Sequence, residues 1–92
     1  MKDVNNERSF FMSIEEAILL DTLRCRLDFL RKKNQLSISD IAEQTDISVE
    51  VYQQYEKGEK CPCVVELIFL ADFYDVSVDY LIGRSEQPER VI

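Results

Sequence analysis

The sequence predicts an all-α domain, and three observations carry that prediction. Only two glycines (Gly58, Gly83) and two prolines (Pro62, Pro88) occur in 92 residues, too few breakers for a turn-rich β-fold. Apolar residues recur at helical spacing, as at Leu20, Leu23, Leu27 and Leu30, which lie on one face of a 3.6-residue period. Four serines (Ser13, Ser37, Ser48 and Ser77) stand just ahead of such stretches, where a side-chain oxygen can accept an otherwise unsatisfied backbone N–H.

Each element follows from these signals. Ser13-Ile14-Glu15-Glu16 is a capping box, so a helix is expected from Ile14 to about Asn34. At 1.5 Å per residue it would be about 31 Å long, long enough to accommodate a kink near Asp21-Thr22. Lys32 and Lys33 in its last turn suit the negative end of the helix dipole. Ser37-Ile38-Ser39-Asp40 repeats the box and starts a short helix to about Thr45, with Ile41 and Ala42 inward. Asp46 can take the left-handed conformation that ends it. Ser48 caps Val49 to Lys57, and Gly58 stops that helix. Two short helices joined by so tight a turn have helix-turn-helix geometry. Pro62 and Cys63 begin another helix, which ends near Tyr74; Val64, Val65, Leu67, Ile68, Leu70 and Ala71 give it a broad apolar stripe. Ser77 caps a last helix, Val78 to Ile82, closed by Gly83. Residues 1–12 are read as a flexible arm carrying the apolar cluster Phe10-Phe11-Met12. Residues 13–83 form the domain, with its helix-turn-helix core at about 27–83. Residues 84–92 are read as a polar tail that frays.

Composition narrows the function classes. There is no histidine, no Gly-rich phosphate loop and no nucleophile–base pairing, so no enzyme is expected. Cys25, Cys61 and Cys63 are an odd count, and Cys61-Pro62-Cys63 lacks C-x-x-C spacing. They read as reduced thiols, with no metal or other cofactor expected. No apolar run approaches membrane-spanning length, and the polar start is unlike a secretory signal. A cytoplasmic location is therefore expected. Net charge is −7, against the basic face usual in nucleic-acid binding. The charge is unevenly spread. Five basic residues (Arg24, Arg26, Arg31, Lys32, Lys33) face one acid (Asp28) between Thr22 and Leu36. Between Ser37 and Lys60, six acids oppose Lys57 and Lys60.

Four segments in order carry a family resemblance: Leu30-Arg31-Lys32-Lys33-Asn34-Gln35-Leu36-Ser37, then Ile41-Ala42 with Ile47-Ser48, then Tyr55-Glu56-Lys57-Gly58-Glu59-Lys60-Cys61-Pro62, and last Asp75-Val76-Ser77-Val78-Asp79-Tyr80-Leu81-Ile82-Gly83. Together they resemble the Cro/C1-type (XRE, phage lambda repressor-like) helix-turn-helix family, from Leu27 to Ser85. The resemblance implies a compact five-helix, lambda-repressor-like domain, here with an N-terminally extended first helix. It implies that helix 49–57 enters the DNA major groove, where its leading residues touch base edges. It also implies an internal ion pair between Arg31 and Glu56, for which an Arg fork on a carboxylate is suited.

On that reading Gln54 is the main base reader, since Gln pairs bidentately with adenine. Gln53 is counted among the DNA-facing residues too, although it points about 100° away from Gln54. Val49 or Val51 would touch a thymine methyl, and Glu50 would accept from cytosine N4. Ser37, Ser48 and the N–H groups beside them, with Lys57 and Lys60, would hold phosphates. Ile38 stands where the family commonly has a phosphate-contacting Gln. The expected function is a sequence-specific transcriptional regulator on double-stranded DNA, acting as a homodimer. The alternative is an acidic protein-interaction module that has lost DNA binding and works through a protein partner. The surplus apolar residues Phe10, Phe11, Met12, Ile14, Ile18 and Leu19 are expected either to form a dimer interface or to pack back on the domain's own core.

Overall fold

A computed structural model describes residues 13–90, and its described residues form five helices without strands. They are α1 (Ile14–Lys33), α2 (Ile38–Thr45), α3 (Val49–Lys57), α4 (Val64–Tyr74) and α5 (Val78–Leu81). The arm 1–12, with Phe10, Phe11 and Met12, and the final Val91 and Ile92 lie outside the described residues.

Local chemistry sets the boundaries. Ser13 accepts from Glu16 N at 3.1 Å while the Glu16 carboxylate accepts from Ser13 N at 2.9 Å, so α1 starts with both orphan N–H groups satisfied. It runs unbroken through Asp21-Thr22 and stops at Asn34. Among the described residues three non-glycines take positive φ, Gln35 (58°), Asp46 (63°) and Asp75 (59°), each just past a helix. Two of the three are aspartates, whose short polar side chains tolerate αL. Asp46 turns the chain between α2 and α3, and Gly58 (φ 76°) ends α3 with its N–H on the Gln54 and Tyr55 carbonyls.

Two boundaries differ from expectation. Pro62 and Cys63 precede α4 rather than begin it: Pro62 is buried and Cys63 is the N-cap, making no side-chain cap bond. Helix α5 ends at Leu81, and Ile82 is its C-cap.

All five helices and two of the turns feed one core. α1 supplies Leu23, Leu27 and Leu30; α2 Ile41; α3 Tyr52 and Tyr55; α4 Leu70, Ala71 and Tyr74; α5 Leu81; Ile47 and Val76 fill the turns. α3 lies against α1 and α2, while α5 joins α1 to α4. Three tyrosines bring hydroxyls into this core. Tyr52 and Tyr74 bond each other at 2.8 Å, and Tyr55 donates to the Glu66 carboxylate. Paired in this way, they are spared the desolvation cost of an unmet polar group.

The tail does not fray over its described length. Arg26 donates to the carbonyls of Tyr80 and Ser85 and to the Glu86 carboxylate. Its guanidinium also stacks 4.1 Å from the centre of the Tyr80 ring. Ser77 N donates to the Pro88 carbonyl at 3.0 Å, and Arg90 pairs with Asp72 and Asp75. Polar composition suggested fraying; the Arg26–Glu86 ion pair, between residues 60 apart in sequence, and the shorter-range Arg90 pairs tie the tail down instead.

Candidate nucleic-acid interface

Helix α3 is seated by one face and presents the other. Tyr52 and Tyr55 are buried, and Val51 and Glu56 are half-buried beside them. At 100° per residue, the opposite side carries Glu50, Gln53, Gln54 and Lys57, all exposed. Gln53 and Gln54 therefore flank the outward midline together. The expectation that Gln53 points elsewhere considered only its angle to Gln54 and ignored where the core lies. Val51 packs against the core, which takes it away from a thymine methyl. Val49 is half-buried at the front of the helix.

Arg31 fixes the angle of this helix. Its Nε and Nη2 donate to the two Glu56 oxygens at 2.8 and 3.1 Å, and its Nη1 donates to the Leu36 carbonyl at 3.1 Å. The Glu56 hydrogen bonds raise the guanidinium's pKa still further. One side chain thus clamps α1, the α1–α2 turn and α3.

The basic stretch of α1 is engaged largely within the domain. Arg24 pairs with Asp21, Arg26 holds the tail, Arg31 holds Glu56 and Lys32 pairs with Asp28. Lys33 lies over the Phe29 ring at 5.9 Å. Among the described residues no ion pair engages Lys57 or Lys60, and both are exposed. The family resemblance names Arg31 with Glu56, but nothing in the spacing points to Arg26 with Glu86, 60 residues apart.

The two serine caps also differ. Ser37 N donates to the Asp40 carboxylate at 2.9 Å, and Ser37 Oγ accepts from Asp40 N. The Ser37 N–H, then its hydroxyl, holds the Asp40 carboxyl below the usual carboxylate range. A full negative charge therefore occupies the start of α2 and repels an anion that would bind there. Ser48 accepts from Val51 N at 3.2 Å without a reciprocal carboxylate, so the start of α3 is the more open of the two.

A helix-turn-helix whose second helix shows a polar face defines the class. Matching of the family's Helix-turn-helix model over residues 19–81 makes the assignment specific: the chain belongs to the Cro/C1-type helix-turn-helix family. It is 41% identical over 64 residues to the uncharacterized HTH-type transcriptional regulator YobD of Bacillus subtilis, covering 70% of this chain and 57% of that protein. It is 38% identical over 64 residues to the HTH-type transcriptional regulator AnsR of the same organism, covering 70% and 55%. It is 36% identical over 59 residues to the cryptic phage CTXphi transcriptional repressor RstR of Vibrio cholerae, covering 64% and 53%. The chain thus spans about half the length of these relatives. No solved structure matches it significantly. Among the described residues no helix is long and apolar enough to cross a membrane.

Proposed function

We propose that this domain is a DNA-binding transcriptional regulator that places α3 in the major groove and works as a pair of copies. The observation that carries the reading is the outward face of α3. Gln53 and Gln54 stand side by side there, free of core packing, with Lys57 at its end and Lys60 in the loop beyond. Gln side chains read adenine edges, and lysines one turn away take the flanking phosphates. The likeness to regulators and to a phage repressor supports the same assignment.

Affinity on this reading is modest. Glu50 sits in the middle of the reading face and Asp40 at the start of α2, leaving Lys57 and Lys60 as the main cations. At about 0.9 per neutralised phosphate, the slope of log K against log salt is about −2 per protomer. Fluorescence anisotropy against genomic fragments at low salt tests this. Gln54→Ala is expected to weaken binding and flatten its sequence preference, whereas Lys57→Ala weakens all sequences alike and reduces the slope by about 1. Absence of binding to any fragment at low salt refutes the proposal.

A further inference from the structure

Helix α1 carries two apolar faces, and only one is used. Leu23, Leu27 and Leu30 enter the core. On the opposite side Ile14, Ile18, Asp21, Cys25, Phe29 and Lys32 fall within an arc of about 80°. All six are exposed, with Ile14 at 77%, Ile18 at 60% and Phe29 at 54%. A helix apolar on both sides is ordinarily covered on both.

The charges beside this stripe say what covers it. Glu15 flanks it at the N-terminal end and Lys32 and Lys33 close the C-terminal end, while Asp21 and Asp28 between them pair with Arg24 and Lys32 of the same helix. A helix of that polarity complements itself when turned end for end. We propose that two copies pair through α1, antiparallel about a two-fold axis, burying Ile14, Ile18, Cys25 and Phe29 between them. In the register that sets Phe29 of one copy against Ile18 of the other, Glu15 faces the partner's Lys33. Asp21 and the partner's Arg24 meet across the other flank. The two-fold repeats both contacts. The other exposed apolar face, Val64, Val65, Ile68 and Phe69 on α4, has no such pattern. Helix α4 carries Glu66 and Asp72 and no basic residue, so it has no acid-to-base polarity that a second copy turned end for end could complement.

The test is the mass of the full chain without DNA, by sedimentation equilibrium, which separates this surface from the DNA-binding reading. The expected mass is twice the 10.8 kDa of one chain. Ile18→Asp places a charge in the seam and raises the dimer dissociation constant by about 100-fold, with far-UV circular dichroism showing the helices retained. Lys33→Glu weakens the dimer about tenfold, and adding Glu15→Lys to it restores most of the loss. A wild-type chain that stays monomeric at about 100 µM, a weak affinity by any measure, overturns the proposal, whether residues 1–12 cover the stripe or leave it bare. So does a dimer indifferent to Ile18→Asp, or a charge swap that restores nothing.

Discussion

Replacing Arg31 with methionine tests how α3 is held. Methionine keeps much of the aliphatic volume but removes all three hydrogen bonds, two to Glu56 and one to the Leu36 carbonyl. The Arg31 side chain is only 16% exposed and that of Glu56 only 9%. Breaking a dry ion pair from one side costs about 3–5 kcal/mol, because the remaining charge is stranded. The residual exposure lowers that to about 2–4 kcal/mol, out of roughly 5–10 kcal/mol for a domain of this size. Urea unfolding followed by circular dichroism reads the loss. With a slope of about 1–1.5 kcal/mol per molar, the midpoint falls by about 2 M. Arg31→Met with Glu56→Leu removes both charges and is expected to recover at least half of the loss. A single-variant cost under about 1 kcal/mol, with the double variant simply additive, refutes the clamp and makes the pair an ordinary solvated one.

Three further outcomes follow from the core and its turns. Tyr52→Phe leaves the Tyr74 hydroxyl without its partner and is expected to cost about 1–2 kcal/mol, while Tyr52→Phe with Tyr74→Phe costs less than the sum; thermal unfolding of the three variants decides. Gly83→Ala must hold φ at 86° with its Cβ 2.9 Å from Thr22 Cγ2, an expected loss of about 2 kcal/mol and about 10 °C in Tm; an unchanged Tm refutes the strain. Burial pushes the Tyr74 hydroxyl up from 10.0 to about 12, and that of Tyr52 higher still. The folded state therefore keeps protons that the unfolded chain releases above pH 10. Stability is full below pH 10 and falls as pH rises towards 12, so urea midpoints at pH 8 and pH 11 should differ, with phenolate absorbance at pH 11 rising as the chain unfolds.

Much of the fold was legible because its signals are local. Each serine cap lies within four residues of the N–H it meets, and Asp46 and Gly58 mark αL positions by side-chain type alone. The family segments fixed the ion-pair candidates, Arg31 and Glu56, but not their burial or the third bond to Leu36. The outward face of α3 was half legible. Gln53 and Gln54 could both be named, but that they flank one outward midline is visible only once Tyr52 and Tyr55 are seen to define the inward side. The solvent exposure of Val64, Val65, Ile68 and Phe69 was not legible, because α4 is apolar on every side and gives no period to read. The fate of Arg26 was equally hidden, since its partners Tyr80, Ser85 and Glu86 are chosen by tertiary proximity rather than spacing.

The tail bonds bear on where this folding unit stops. The family match ends at residue 81, yet Ser85 and Pro88 supply acceptors to Arg26 and Ser77. A fragment trimmed after Gly83 would strand a half-buried guanidinium and one N–H at the cap of α5. A fragment made for crystallisation or fusion should end no earlier than Arg90, because residues 84–90 act as a clasp on the bundle.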